Sequence, residues 1–156
     1  MTSTSSDSPF ADAADHPPER CVFCRIIEEE AKDQPLVYSD EDVVAFLDIR
    51  PLFPGHLLIC PRQHVVTLDQ LPPEQVPPVF HLVQRATAAM KLVLGAQGAF
   101  VANNNIVSQS VHHLHIHVVP RTKGDGLRGF FWPRVDYDDD GHRADVEQRL
   151  RAALAG

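Results

Sequence analysis

Short hydrophobic runs, separated by polar or proline-containing breaks, organise most of the chain. The first run has helical spacing and predicts a short amphipathic helix that ends at Glu28–Glu30. Leu36–Tyr38 and Val43–Leu47 predict two strands on either side of an acidic turn. His56–Cys60 predicts a third strand, which we expect Pro61 to end because proline cannot donate a hydrogen bond to a sheet.

The longest periodic segment lies in the middle of the chain. Its apolar residues recur every three or four positions up to Leu94, and Gly95 follows as a helix stop. This pattern predicts a long helix that begins at Pro73 or at Pro78. Ala99–Ala102 predicts a further strand after it.

The last two elements complete an α+β pattern. His113–Val119 predicts a strand closed by Pro120, and residues 139–155 predict a terminal helix. The order helix, strands, helix, strands, helix indicates an α+β fold with an antiparallel sheet. We expect a single domain over residues 21–156, with the last helix as an extension. Residues 1–20 lack any period and are rich in Ser, Asp, Ala and Pro, which predicts a disordered tail.

The composition narrows the possible partners. The chain has 156 residues, 44% hydrophobic and 22% charged, which is typical of one globular domain. A net charge of −7 argues against nucleic acid as a partner. No apolar run approaches the roughly 18 residues of a membrane span, and the N-terminus has no secretory pattern, so we expect no membrane partner and a cytoplasmic setting. In that setting three cysteines indicate metal binding or free thiols rather than disulfides.

The most informative segment is Gln109–Arg121, which we call the histidine tract. His113, His115 and His117 alternate with aliphatic residues, so on a strand the three imidazoles would share one face. A solvated strand face has no need for three histidines at period two. The pattern indicates either catalysis or a metal site, and a metal site would need ligands from elsewhere in the chain as well.

The alternation over His113–Val119 resembles the signature of the histidine-triad (HIT) family. Five other segments resemble that family in the same order: Cys21–Ile27, Phe46–Ile49, Pro54–His56, Pro61–His64 and Lys123–Gly126. The resemblance extends from Cys21 to about Trp132 and is greatest for the bacterial branch that carries a Cys-x-x-Cys pair. It implies a HIT-like fold, in which the long helix packs on an antiparallel sheet of about five strands, with a short N-terminal and a C-terminal helix.

The resemblance also implies a reaction. Family members bind purine nucleotides and cleave a phosphoramidate or phosphoanhydride bond at the α-phosphorus. His115 is the implied nucleophile, since a neutral imidazole can attack without a separate base. His117 is expected to contact the phosphate oxygens, Ser110 the phosphate or the leaving group, and His113 completes the triad. AMP or its conjugates, such as nucleoside phosphoramidates, are the expected ligands. A dinucleoside polyphosphate hydrolase, a nucleotide-binding regulatory protein with vestigial hydrolysis and a metal-storage or metal-sensing protein remain alternatives.

The nucleotide-binding residues are implied in the same way. Asp48 is expected to accept hydrogen bonds from both ribose hydroxyls, although a solvated carboxylate at a strand end is the simpler interpretation of the sequence alone. The remaining positions are Val22, Phe23, Ile26 and Ile49 around the base, and Asn103, Gln109, Ser110, His115 and His117 around the phosphate. The four apolar residues would also suit an ordinary core. His56 matches a family position with an accessory role at most.

A structural zinc ion is implied by a second set of residues. Cys21 and Cys24 have the spacing of zinc ligands, and His64 and His113 match family positions that complete a tetrahedral set. Such a closed site would orient the catalytic strand without taking part in the chemistry. The alternative is that the cysteines are buried thiols, as we expect for Cys60.

Three features depart from the family pattern or lack a role. The expected phosphate loop, residues 103–108, contains no glycine, and we expect its asparagines to take left-handed conformations instead. His112 has no assigned role. Residues 129–134 would cover the leaving-group side, reach a dimer partner or pack on the last helix. Relatives commonly pair through the long helix, so the resemblance implies a homodimer.

Overall fold

The computed structural model describes residues 16–28, 36–127 and 135–155. They fall into two compact units, one that ends at Asp125 and one that begins at Gly126. The first unit contains two α-helices and five strands: α1 (Val22–Glu28), β1 (Leu36–Ser39), β2 (Val43–Leu47), β3 (Leu57–Pro61), α2 (Val76–Leu94), β4 (Gly98–Ala102) and β5 (Ile116–Arg121). The strands form one antiparallel sheet in the order β1-β2-β3-β5-β4. This confirms the predicted α+β fold class.

The main core lies between α2 and one face of the sheet. Val79, Leu82, Val83, Ala86 and Met90 on α2 are buried there, at the spacing that predicted the helix. A 3-10 helix over Pro73–Gln75 precedes α2, so the α-helix begins between the two predicted starts. Its early prolines are tolerated because the first-turn amides have no partner within the helix.

Glycine ends α2 and also allows a close approach near the site. Gly95 takes a left-handed conformation, φ 65°, directly after the helix, as the sequence predicted. Gly55 lies in the loop before β3 at φ 98°, and a Cβ placed there would lie 2.4 Å from the Leu94 side chain. Any other residue at position 55 would be strained at this positive φ and would displace the Leu94 side chain.

A second core lies on the other face of the sheet, under α1. Phe23, Cys24 and Ile27 are buried against Phe46 and Cys60, so one side of the short helix faces β2 and β3. Cys60 is fully buried, which confirms its predicted place in the core, and burial raises the pKa of its thiol well above the usual value. This second core positions the site, because the N-terminus of α1 meets the histidine tract here.

The predicted strand over His113–Val119 is wrong in its limits. β5 begins at Ile116 and continues through Pro120 to Arg121. Before it, the Leu114 amide donates a hydrogen bond to the Val65 carbonyl outside the sheet, at 2.7 Å. Pro120 lies beyond Val118, where the pairing of β5 with β3 ends, and opposite Ala99 of β4. Two triad histidines therefore precede the strand, and both are buried.

Helices lie at both described ends of the chain. Pro18–Arg20 forms a 3-10 helix inside the tail of residues 1–20 for which we predicted disorder. Residues 1–15 of that tail lie outside the described residues, as do residues 129–134. The second unit contains α3 (Asp140–Leu154), which the Asp139 carboxylate caps by accepting from the His142 amide at 2.7 Å. Within the described residues, no helix has the length and apolar character needed to cross a membrane.

Candidate active site and metal centre

Four predicted metal ligands come together under the N-terminus of α1. The ligand atoms of Cys21, Cys24, His64 and His113, which we call the Cys2His2 cluster, all lie within 4.8 Å of one another. The Nδ1 atom of His113 is 3.5 Å from Sγ of Cys21 and 3.4 Å from Sγ of Cys24. Ideal zinc–sulfur and zinc–nitrogen bonds in a tetrahedron place sulfur and nitrogen about 3.6 Å apart. The donor set and its spacing therefore fit a tetrahedral Zn²⁺.

Backbone carbonyls fix the tautomer of both cluster histidines. Nε2 of His113 is 2.8 Å from the Pro61 carbonyl, and Nε2 of His64 is 2.9 Å from the His16 carbonyl. A carbonyl only accepts, so each Nε2 carries the hydrogen and each Nδ1 presents a lone pair to the cluster. This arrangement is the one that metal-ligating histidines use, with the second ring nitrogen donating to an acceptor outside the coordination sphere.

Burial disfavours the charged forms of Cys24 and His113 in the cluster. Burial, followed by the hydrogen bond and charge of Cys21, raises the pKa of Cys24 to about 12. Burial likewise lowers the pKa of His113 to about 4, against the opposing effect of the Pro61 carbonyl. The histidine is therefore neutral and ready to ligate, whereas the thiol would lose its proton only to a metal ion. The three described cysteines are free thiols, as expected.

A cavity of about 170 Å³ lies beside the cluster, and we call it the inner cavity. It brings together eight residues implied by the family resemblance: Val22, Phe23, Ile26, Asp48, Ile49, Ser110, His115 and His117. Asp48 and the two histidines lie together at one end of it, and the rest of the lining is mostly apolar. A planar base and a phosphate have these two requirements, so the lining offers both kinds of contact that a nucleotide needs.

His115 is buried and held in one orientation. Nδ1 lies 2.7 Å from the His113 carbonyl, so Nδ1 carries the hydrogen and Nε2 carries the lone pair. The edge of the Phe23 ring packs against the imidazole, with centroids 5.2 Å apart and planes at 88°. Burial lowers the pKa of His115, which keeps the ring neutral. His115 thus presents an unprotonated Nε2, the state that a nucleophilic imidazole needs.

His117 is held in the opposite tautomer by a chain of hydrogen bonds. The Leu52 amide donates to Nδ1 of His56 at 3.2 Å, so the hydrogen of His56 is on Nε2. That Nε2 lies 2.9 Å from Nδ1 of His117, which therefore accepts. A neutral His117 then carries its hydrogen on Nε2 and can donate it to an oxygen in the cavity. Burial, then the neighbouring His115 and His56, lower the pKa of His117 to about 4.

The Asp48 carboxylate is held at the same end of the cavity. One oxygen accepts from the Arg50 amide at 2.8 Å, and the other lies 3.7 Å from Nδ1 of His56. The carboxylate is half-buried rather than a solvated strand end, and it lines the cavity. It can therefore accept hydrogen bonds from a diol, as a ribose presents.

Two implied nucleotide-binding residues do not line the cavity. Asn103 donates to the His115 carbonyl at 2.9 Å. Gln109 is buried, and its side-chain amide donates to the Val66 carbonyl at 2.7 Å while its oxygen accepts from the Ile106 amide at 2.8 Å. The polar atoms of both side chains thus form hydrogen bonds within the protein. These bonds fix the backbone segments that position the site residues.

The conformation of the phosphate loop corrects another expectation. The left-handed residues are Ile106 and Ser108, at φ 64° and 61°, and none of the three asparagines. The Asn105 side-chain amide instead donates to Oδ1 of Asn103 at 2.7 Å. Oδ1 of Asn105 accepts from the Leu68 backbone amide at 2.8 Å. The asparagines thus stabilise the loop through side-chain hydrogen bonds, and other residues take the unfavourable backbone conformation.

The sequence alone missed several residues of the site. Phe46, Arg50, Leu58 and Val111 also line the inner cavity. Leu58 could have been found from strand pairing, because it lies opposite His117 in the register of β3 and β5. The hydrogen bond of His56 gives that residue more than an accessory position, and no sequence pattern predicts it.

Known proteins resemble this chain in sequence and in fold. Residues 29–124 match the family described as HIT domain. The adenosine 5'-monophosphoramidase of Saccharomyces cerevisiae is 34% identical, over 100% of this chain and 93% of that protein. A solved member of the HIT family from Bacillus subtilis is 31% identical, with a TM-score of 0.77 over 88% of this chain and 99% of that one. A zinc-bound histidine triad family protein from Mycobacterium smegmatis is 37% identical, with a TM-score of 0.66 over 87% of this chain and 99% of that one.

Proposed function

The chain belongs to the HIT domain family, and on that premise we propose that it hydrolyses purine nucleotide phosphoramidates through a nucleotidyl-histidine formed at His115. The observation that carries the proposal is the pair of opposite tautomers in the inner cavity. His115 presents a lone pair at Nε2, and His117 presents a hydrogen at Nε2. A nucleophile and a donor side by side are what attack on a phosphate ester requires.

In the proposed reaction, Nε2 of His115 attacks the α-phosphorus while the phosphorus–nitrogen bond breaks. The leaving amine takes up a proton from water, and His117 stabilises the charge on the phosphate oxygens. Water then adds to the phosphorus as the phosphorus–Nε2 bond breaks, which releases the nucleoside monophosphate and restores His115. The proton that this water loses neutralises the hydroxide left by the first step. Splitting one displacement into two lets the imidazole serve first as nucleophile and then as leaving group.

The substrate class rests on the cavity and on a relative. The apolar end can stack a base, and Asp48 can hold a ribose. The yeast relative that carries the name adenosine 5'-monophosphoramidase supports AMP conjugates as substrates of this chain. We accordingly place the base against Val22, Ile26 and Ile49, and the α-phosphate between Ser110 and the two histidines.

We also propose that the Cys2His2 cluster binds one Zn²⁺. The fit of its ligand atoms and the zinc-bound Mycobacterium smegmatis structure support this proposal. Two thiolates and two imidazoles leave no open position for water or substrate, so the ion would supply a cross-link between α1, the loop after β3 and the histidine tract. Every chemical step then belongs to protein side chains.

Finally, we propose that the protein is a homodimer. Leu92, Val93 and Leu94 at the end of α2 are 86%, 71% and 52% exposed, and Phe80 and Val101 are also exposed. Large apolar side chains exposed on α2 and β4 are typical of a contact surface. Sedimentation should give twice the monomer mass, and Leu92→Glu should give the monomer mass.

The deciding experiment traps the adduct. The protein is mixed with adenosine phosphoramidate, quenched within milliseconds and digested, and the peptides are analysed by mass spectrometry. We expect an added AMP on the peptide that contains His115. An adduct on another residue would contradict the mechanism. Faster turnover of a diadenosine polyphosphate than of the phosphoramidate would contradict the substrate class.

A further inference from the structure

Cys21 and Cys24 are placed to bond to each other as well as to a metal ion. The Arg25 amide donates to the Cys21 carbonyl at 3.2 Å, so Cys21 lies at the N-cap of α1 and Cys24 in its first turn. Residues three apart at this place in a helix have Cα atoms about 5 Å apart, which is within the range that a disulfide bridges. The two Sγ atoms lie within 4.8 Å of each other. Rotation of the two side chains therefore suffices to bring the sulfur atoms to bonding distance.

A second cavity, of about 370 Å³, gives small molecules access to Cys21, and we call it the outer cavity. Its lining comes from the start of α1, from the residues just before it and from the histidine tract. All three cysteines lie in the described part of the chain, and of these only Cys21 lines this cavity. Cys24 is buried, and Cys60 is fully buried on β3. A small reagent from solvent would therefore reach Cys21 before it reaches either of the other two.

The form of cysteine that ligates zinc is also the form that reacts with oxidants. A thiolate, rather than a thiol, binds the metal and attacks a peroxide. A disulfide has lost the negative charge and the basic lone pairs of two thiolates, so it no longer serves as a pair of zinc ligands. The Cys21–Cys24 pair therefore has two exclusive states, one bound to the metal and one bonded internally.

The cluster adjoins the contacts that orient His115. The His113 carbonyl accepts from Nδ1 of His115 at 2.7 Å, and the Phe23 ring of α1 packs against the His115 imidazole. Val22 and Ile26, which also belong to α1, line the inner cavity. Loss of a cross-link between α1 and His113 would therefore loosen both the nucleophile and the wall of the inner cavity.

From these observations we propose that the Cys2His2 cluster is an oxidation-sensitive switch. Hydrogen peroxide that enters the outer cavity would convert Cys21 and Cys24 to a disulfide, which would release the zinc ion and lower activity. The inference rests on the proposed zinc site, because it assigns a second state to the two cysteines of that site.

The oxidation has two steps. The Cys21 sulfur attacks one oxygen of hydrogen peroxide, the oxygen–oxygen bond breaks, and a sulfenic acid forms on Cys21 as hydroxide leaves. The Cys24 sulfur then attacks the Cys21 sulfur, the sulfur–oxygen bond breaks, and a second hydroxide leaves as the disulfide forms. The two thiolates together lose two electrons, and the two hydroxides take up two protons from solvent to give water.

Treatment of the zinc-loaded protein with hydrogen peroxide tests this inference. Elemental analysis before treatment should give about one zinc ion per chain. A small molar excess of peroxide should release this zinc to a chromogenic chelator, and peptide mass spectrometry should find a disulfide between Cys21 and Cys24 with Cys60 still a free thiol. The melting temperature should fall by about 10 °C, and kcat for adenosine phosphoramidate about tenfold. Dithiothreitol with an equimolar amount of Zn²⁺ should restore all of these properties.

Two further measurements locate the reaction. Dimedone, which labels sulfenic acids, should mark Cys21 rather than Cys24 at early times, since only Cys21 lines the outer cavity. Cys60→Ala is the matched control, because Cys60 is fully buried and lies outside the cluster. This variant should release zinc at the same rate as the unsubstituted protein.

Each outcome decides the matter. Zinc that stays bound in peroxide, a disulfide to Cys60, slower release in Cys60→Ala or early labelling of Cys24 would overturn the inference. Unchanged kcat after zinc release would also overturn it, and so would losses that reduction and added zinc do not reverse, because such losses indicate damage. Zinc that is present at the start and retained contradicts only the switch. Absence of zinc before treatment contradicts the proposed metal site and the switch together.

Discussion

The Cys2His2 cluster and the inner cavity each contain two histidines, yet these histidines are suited to different tasks. In the cluster, two histidines donate from Nε2 to backbone carbonyls and direct Nδ1 at two thiols, so all four ligand atoms converge on one buried point. In the cavity, His115 and His117 have opposite tautomers and face a space that opens to solvent. The surrounding hydrogen bonds, rather than the residue type, decide which histidine ligates and which reacts.

One short segment joins the two regions. The His113 ring faces the cluster, while the His113 carbonyl accepts from Nδ1 of His115. A metal ion on the ring would therefore hold the carbonyl that orients the nucleophile. We expect losses in the cavity to affect activity alone, and losses in the cluster to affect stability first and activity second.

The largest effect should come from His115→Asn. Because this change removes the nucleophile, we expect kcat to fall at least about 10³-fold and the AMP adduct to disappear. Metal content and the melting temperature should stay near those of the unsubstituted protein, since His115 is no cluster ligand. Elemental analysis and calorimetry check both. Loss of metal in this variant would contradict the separation of the two regions.

His117→Ala should come second. This change removes the hydrogen-bond donor at Nε2 but leaves the nucleophile, so kcat should fall about 10²-fold and the adduct should still form slowly.

In His56→Ala, kcat should fall less, about tenfold, because this change removes only the group that fixes the His117 tautomer. A rapid-quench time course measures adduct formation in both variants. A larger loss of kcat in His56→Ala than in His117→Ala would contradict the proposal that His56 acts only through its hydrogen bond to His117.

Cys24→Ser should break the cluster and affect the cavity only through His113. We expect the bound zinc to fall from about one ion per chain to none, and the melting temperature to fall by about 10 °C. The folded fraction should lose about tenfold in kcat, the scale of changes that affect a reacting group through its support. Cys60→Ala is the matched control, since this buried cysteine lies outside the cluster and should keep the metal. Full metal content in Cys24→Ser would remove the proposed site.

The contrast between the two regions also explains what the sequence could predict. Local patterns sufficed for α2 and its Gly95 stop, and for the Cys21–Cys24 pair, because spacing along the chain determines each of these features. The start of β5 depends on the distant Val65 carbonyl, which no local pattern reveals. The tautomers depend in the same way on carbonyls brought close by folding. Residue types in the site were therefore predictable, and their protonation was not.

A smaller effect should appear in the pH dependence of stability. The folded pKa of His117 is about 4, below the 6.5 of an exposed histidine, so the unfolded chain binds more protons between these values. The free energy of unfolding is therefore at its full value above pH 6.5 and decreases as the pH falls towards 4. Between pH 7 and pH 5, the melting temperature should fall about 5 °C more in the unsubstituted protein than in His117→Gln. Equal falls would show that His117 does not titrate in this way, because metal release affects both proteins alike.

The smallest effect should come from the loop beside the cavity, where Ser108 holds a left-handed conformation at φ 61°. Glycine adopts this conformation without strain, so Ser108→Gly should raise the melting temperature by about 2 °C despite the greater entropy of the unfolded chain. Val107→Gly is the control, because Val107 is 79% exposed and does not have a positive φ. That change should lower the melting temperature by a similar amount. If both variants are destabilised alike, Ser108 carries no strain. If Ser108→Gly is more stable but has a lower kcat, the strained loop contributes to the shape of the phosphate end of the inner cavity. The closed metal cluster has no comparable requirement.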